Sequence, residues 1–131
     1  MRLLDLKENS NMYTAYVLDK ASRLTLAEQF PPIYSDFIGH HVTVEFGVPK
    51  DTQPPPSAVL KVVGHVDSGD GLEALVVSVN GETQRPDGKV YHITWSLERG
   101  KYKPVDSNRI IATHGYKKVS AVTFSATPAV L

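Results

Sequence analysis

The sequence contains no cysteine, which removes a disulfide framework, a thiolate zinc site and a cysteine nucleophile together. It also carries no excess charge. Lys plus Arg and Asp plus Glu each number 14, for a formal net charge of +0, so no bulk attraction draws the chain to a membrane surface or to long duplex nucleic acid, whose phosphate contacts dominate affinity. Any anionic ligand has to be met by local groups. No apolar run approaches membrane-spanning length, and Met1 to Ser10 alternates apolar and charged residues rather than forming a signal-peptide core. These absences predict a soluble, cytoplasmic protein. With 131 residues and 41% hydrophobic content, residues 1–131 are expected to form a single domain with a real core.

What the sequence does contain is one pattern written twice. His41-Val42-Thr43-Val44-Glu45-Phe46 and Tyr91-His92-Ile93-Thr94-Trp95-Ser96-Leu97 are both strand-like runs carrying His-x-Thr. Successive side chains on a strand point to opposite faces, so His41, Thr43 and Glu45 are expected on one face and Val42, Val44 and Phe46 on the other. By the same alternation His92, Thr94 and Ser96 share a polar face, and Trp95 falls among the core-facing residues. Two such faces, each an imidazole beside a hydroxyl, make a site if they look at each other.

Around these motifs the chain predicts mostly strands. Tyr13 to Leu18 is rich in β-formers. Ser22 is placed to cap a short helix carrying Leu24, Leu26, Ala27 and Phe30, which Pro31-Pro32 closes. Lys50 to Ser57, with three consecutive prolines, reads as a stiff loop. Ala58 to Val66 and Leu72 to Val79 form a hairpin around Asp67 to Gly71; Asn80-Gly81 and Arg85-Pro86-Asp87-Gly88 are turns. Ser107 precedes a short helical turn, Val119 to Phe124 is a last strand, and the tail from Ser125 is expected to fray. The outcome is an α+β domain built on mainly antiparallel sheet with few short helices and both motif strands near its middle.

The paired motifs, His41-Val42-Thr43-Val44 and His92-Ile93-Thr94-Trp95, resemble the signature of the two-histidine (2H) phosphoesterase superfamily, which includes RNA ligase-like cyclic phosphodiesterases. The short spacing suggests a minimal member, and Pro104 to Arg109 is similar to the phosphodiesterase end of fungal tRNA ligases. The resemblance implies two pseudo-symmetric lobes, each an antiparallel sheet with one motif, the histidines facing across a cleft, and no required metal or cofactor. Its implied activity is a phosphodiesterase, a hydrolase acting on RNA ends, nucleoside 2′,3′-cyclic phosphates or small cyclic oligonucleotides. Some phage members of the superfamily degrade cyclic oligonucleotide defence signals, and this chain is small enough to be one.

The chemistry accounts for these residue types. Cleaving a phosphodiester without a metal needs one group to take a proton from the attacking oxygen and another to give one to the leaving oxygen, and two imidazoles do both near neutral pH. His41 and His92 are therefore the candidate catalytic pair, their roles interchangeable at this level. Thr43 and Thr94 are candidate phosphate ligands, able to donate to a non-bridging oxygen. Cationic help is sought among Lys61, Arg85, Arg99, Lys101, Lys103 and Arg109, and base stacking among Tyr13, Tyr16, Tyr34, Tyr102 and Tyr116. Tyr13 and Tyr16 face opposite sides of their strand, so at most one lines a cleft. His40 is expected to be structural, His65 and His114 to be solvated or packing residues, and Glu45 to be an exposed strand charge. A metal site from all five histidines has no recognisable ligand spacing, and Asp67 to Gly71 lacks the ligand count of a calcium loop. The rival reading is a nucleotide or RNA-end binding module that keeps the pocket without turnover; the blandest is a structural protein with accidental motifs.

Overall fold

The computed structural model describes residues 11–131, so the Met1 to Ser10 pattern lies outside the described residues. The fold is α+β, two antiparallel sheets with two short α-helices. Strand β1 (Tyr13–Leu18) leads to α1 (Lys20–Gln29), then β2 (Asp36–Phe37) and β3 (His41–Phe46), the first motif strand. A hairpin of β4 (Leu60–Asp67) and β5 (Leu72–Val79) follows, then β6 (His92–Leu97), the second motif strand. A 3-10 turn (Pro104–Asp106) runs into α2 (Ser107–His114), and β7 (Lys117–Phe124) and β8 (Ala126–Val130) complete the chain. The three-stranded sheet has the order β3-β1-β8 and the five-stranded sheet β2-β6-β5-β4-β7. Among the described residues no helix is long and apolar enough to cross a membrane.

Several expectations are corrected here. The tail does not fray: β8 pairs antiparallel with β1, Thr14 opposite Val130 and Leu18 opposite Ala126. Pro128 is tolerated because β8 is an edge strand, where a missing N–H costs no ladder bond. Ser22 is not the helix cap. Asp19 is the N-cap residue, and Ser22 Oγ instead accepts from the Ser125 N–H at 2.8 Å, fastening the β7–β8 junction to α1. Nor are both motif strands central. β6 lies between β2 and β5, but β3 is the outer strand of its sheet.

The larger apolar cluster joins Tyr16, Leu18 and Val42 of the small sheet to Leu60, Val62, Leu75, Val77, Ile93 and Trp95 of the large one, with Leu26 of α1. Trp95 is fully buried, as its phase predicts, and its indole N–H donates to the Phe30 carbonyl at 2.7 Å. A smaller cluster on the other face of the large sheet packs Leu72, Ala74 and Val76 against Ile110 and Ile111 of α2. Val42 and Ile93, the residues between His and Thr in each motif, belong to the larger cluster. Alternation then turns His41 and Thr43, and His92 and Thr94, away from it.

Each motif strand carries a bulge immediately after its threonine. Thr43 opposes Ala15 and Glu45 opposes Thr14, leaving Val44 unpaired. Thr94 opposes Ala74 and Ser96 opposes Glu73, leaving Trp95 unpaired. An extra residue shifts the side-chain alternation by one, and this overturns two expected face assignments. Glu45 leaves the face of His41 and Phe46 joins it, stacking on Tyr13 with ring centroids 5.9 Å apart. Ser96 leaves the face of Thr94 and instead donates to Glu73 Oε1 at 2.7 Å.

Candidate active site

Both motifs open onto one pocket of about 590 Å³. Its walls come from β1 (Tyr13), the β2–β3 junction (Ile38, His40), β3 (His41, Thr43, Phe46), the turn before β6 (Arg85, Lys89), β6 (His92, Thr94) and the start of the second helical segment (Pro104, Val105, Asn108). Among the described residues, no Asp or Glu lines it. The four candidate residues, His41, Thr43, His92 and Thr94, are thus brought together, with the apolar Phe46 and Val105 exposed at its edge, 59% and 71% accessible.

His92 is nearly buried, and its Nδ1 lies 2.9 Å from the Val90 carbonyl. A carbonyl oxygen only accepts, so Nδ1 carries the proton of the neutral ring and Nε2 the lone pair. Burial pushes the His92 pKa below its ordinary value; the Val90 bond opposes this in part and the nearby Arg85 charge adds to it. His41 is pushed from 6.5 down to about 4, first by burial and then by the positive charges that His40 and His92 would carry. Both rings are therefore neutral at pH 7.

His40, expected to be structural, belongs to the pocket. Its Nδ1 is 2.9 Å from His41 Nδ1 and the rings meet edge to face at 5.1 Å. One of these two nitrogens must donate and the other accept, so the tautomers of His40 and His41 are coupled. The approach to His40 is fixed by Arg23 of α1, whose guanidinium donates to the carbonyls of Gly39, Phe37 and Ile38 at 3.1, 3.2 and 3.1 Å and stacks 3.8 Å over the Phe37 ring. Gly39 has φ +48, and a Cβ there would come within 2.7 Å of the Phe37 ring. Glycine is required at this position. The sequence shows Arg23 on a helix; nothing in its spacing shows that it reaches three carbonyls on a distant segment.

Thr94 is tied into the fold. Its hydroxyl donates to the Pro104 carbonyl at 3.2 Å and lies 2.8 Å from the hydroxyl of Ser107, which is fully buried. Thr43 is half-exposed beside Tyr13 on the other wall.

The remaining candidates sort clearly. Of the six cationic candidates only Arg85 lines the pocket, and Lys89 joins it unforeseen. Arg99 pairs with Asp36, Arg109 with Asp106 at 3.5 Å, and Lys101 donates to the Asp70 carbonyl. Tyr13 is the one tyrosine at the pocket: Tyr16 is core, Tyr34 donates to Asp67, and Tyr102 to Asp70. His65 is a packing residue with a specific partner, its Nε2 lying 2.7 Å from Glu73 Oε2 and its ring stacked on Phe30. Glu73 Oε1 also accepts from the Ile33 N–H, so this fully buried carboxylate ties the segment after α1 to β4 and β6. Among the described residues, no three His, Asp or Glu side chains converge as a set that could hold a metal ion. Comparison of the chain with known protein families, with curated proteins and with solved structures gives no match.

Proposed function

We propose that the chain is a metal-independent phosphodiesterase of the two-histidine type, acting on RNA ends, nucleoside 2′,3′-cyclic phosphates or small cyclic oligonucleotides. The observation that carries this reading is the convergence of both His-x-Thr motifs on one pocket with Arg85 and Lys89 and, among the described residues, without a carboxylate in its lining. A cleft lined by carboxylates would repel a phosphate, whereas the cationic Arg85 and Lys89 favour one.

Neutral His92, with its proton held on Nδ1 by Val90, offers Nε2 as the general base. It removes the proton from the attacking oxygen, a ribose 2′-hydroxyl or a water, as that oxygen bonds to phosphorus. His41 acts as the acid. Once protonated, His41 carries a proton on both nitrogens: its Nδ1–H donates to the Nδ1 lone pair of neutral His40, and its Nε2–H gives its proton to the leaving oxygen as the P–O bond breaks. The products are a cyclic phosphate with a freed hydroxyl when the 2′-hydroxyl attacks, or an opened phosphate monoester when water opens a cyclic one. His92 ends protonated and His41 neutral, and exchange with water resets both. Since its lowered pKa leaves His41 neutral at pH 7, the substrate's own negative charge supplies the pull that protonates it, by opposing the burial and like-charge effects that hold its pKa down. Thr43 donates to a non-bridging oxygen. Thr94 does so once its proton leaves the Pro104 carbonyl.

The test is turnover in chelator on a panel of 2′,3′-cyclic nucleotides, short RNAs with defined ends, and cyclic di- and trinucleotides. One member is expected to be cleaved, with His41→Ala and His92→Ala each slower by about 10²–10⁴-fold, the range for loss of a general acid or base. Variants as fast as wild type, or no turnover at all, sink the reading; ligand-induced stabilisation without turnover then favours the binding module.

A further inference from the structure

Among the described side chains, the buried polar atoms left without a hydrogen-bond partner are Arg85 Nε and Asn108 Oδ1. Buried polar groups in folded proteins are nearly always paired, so each exception calls for an explanation. Both residues line the pocket that holds the two motifs, although they come from opposite sides of β6 in the chain. One is a donor on a cation and the other an acceptor.

Arg85 is held in place by its own turn. It is 5% accessible, unusual for an arginine. The Arg85-to-Gly88 turn closes through the Gly88 N–H on the Arg85 carbonyl at 2.9 Å, and the Arg85 N–H donates to the Lys89 carbonyl. Asp87 accepts from Nη2 at 2.6 Å, which fixes one corner of the guanidinium and leaves Nε without a mate. An anionic oxygen satisfies such a donor best. Asn108 stands one residue past the buried Ser107 that bonds Thr94, so its backbone is set by the second motif. Its unmatched Oδ1 needs an N–H or O–H. A phosphodiester anion has none. Whatever satisfies both atoms therefore extends past its phosphate and carries a donor of its own.

We propose that Arg85 and Asn108 form a two-point recognition device in which both side chains turn from beneath the pocket surface, Arg85 Nε then binding a phosphate oxygen and Asn108 Oδ1 accepting a hydrogen bond from a sugar hydroxyl or base N–H of the same nucleotide. This deepens the phosphodiesterase reading and rests on it for the identity of the anion. It makes Asn108 a specificity residue: the pocket prefers nucleotides over bare phosphodiesters. The two donor sources share one chemistry and differ in which ligand atom is removed.

The experiment is equilibrium binding followed by NMR titration of the whole chain, with dimethyl phosphate as an anion lacking any donor and adenosine 3′-monophosphate as an anion with donors. Arg85→Gln is expected to weaken both ligands by at least about 10-fold, the scale of one charge-assisted bond. Arg85→Lys, which keeps the charge and loses Nε, is expected to fall between wild type and Arg85→Gln. Asn108→Ala is expected to weaken the nucleotide by about 3- to 10-fold and to leave dimethyl phosphate unchanged. Repeating the Asn108 comparison with 2′-deoxyadenosine 3′-monophosphate and with the N6,N6-dimethyl nucleotide locates the donor, because the analogue that lacks it no longer senses the substitution. Spectral dispersion of each variant verifies folding. Unchanged affinity in both Arg85 variants, or an Asn108→Ala effect equal on both ligands, overturns the proposal. These readouts need no turnover. If binding behaves as stated and no substrate is cleaved, the catalytic reading fails alone; if substrate is cleaved and binding ignores both positions, this inference fails alone.

Discussion

His41 and Thr43 stand on the outer strand of the small sheet, half-exposed beside Tyr13, while His92 and Thr94 stand inside the large sheet at 9% accessibility each. The residue types, their spacing and even the bulge after the threonine are the same. The surroundings are not. His92 has its tautomer set by a backbone carbonyl and Thr94 has its hydroxyl engaged by Pro104 and Ser107, whereas the tautomer of His41 depends on a second, exposed imidazole. The buried motif is a fixed half of the site. The exposed one is adjustable, which suits the part the proposed mechanism gives His41, the histidine that changes protonation there.

The widest separation between the two halves should appear in stability. Thr94→Val keeps the side-chain shape but strips a partner from buried Ser107 and from the Pro104 carbonyl, a loss on the order of 1–3 kcal/mol. Thr43→Val is expected to stay within about 0.5 kcal/mol, as for ordinary surface substitutions. Urea denaturation of both variants measures the difference, and equal losses would erase the distinction.

A smaller contrast lies in acid. His41 has a folded pKa of about 4 against 6.5 unfolded, so between those values the unfolded chain binds more protons. Stability held above pH 6.5 is then lost as pH falls toward 4. The lowered pKa of His92 acts in the same direction. In His41→Gln the loss across that window should be shallower than in wild type. An unchanged slope, read from denaturation midpoints at several pH values, would mean that the exposed half does not contribute.

The finest test concerns His40 alone. Its charge is among the causes that depress His41 but not among those that depress His92. His40→Asn should raise the His41 pKa toward 6.5 and leave the His92 titration in place, followed by the NMR shifts of the ring protons. Movement of both would show that the two halves are one electrostatic unit.

The sequence carried the motifs, the strands Tyr13–Leu18 and Leu72–Val79, and the burial of Trp95, because each depends on local alternation of residue types. It did not carry what depends on pairing. A bulge exists only relative to a partner strand, so the crossing of Phe46 into the pocket and of Ser96 out of it could not be counted from spacing. The hold of Arg23 on three carbonyls is likewise non-local, and β8 was hidden by its brevity and its proline. Asn108 was in view within the run after the second motif, but an unmatched acceptor is visible only when its neighbours are placed. The place of His40 in the pocket lining was hidden for a simpler reason. It precedes β3 rather than belonging to it, so strand alternation does not govern its direction.

The union of β1 with β8 has a consequence for the order in which the molecule assembles. Asp19 and Thr127, which meet at this seam, are 108 residues apart in the chain, while β4, β5 and β6 succeed one another as neighbours. Contacts that close long loops form late, because the chain gives up its freedom before it gains them. The wall bearing His92 is thus a product of early, local pairing. The sheet bearing His41 gains its third strand only when β8 pairs with β1, so this half of the pocket is expected to be completed after the half bearing His92.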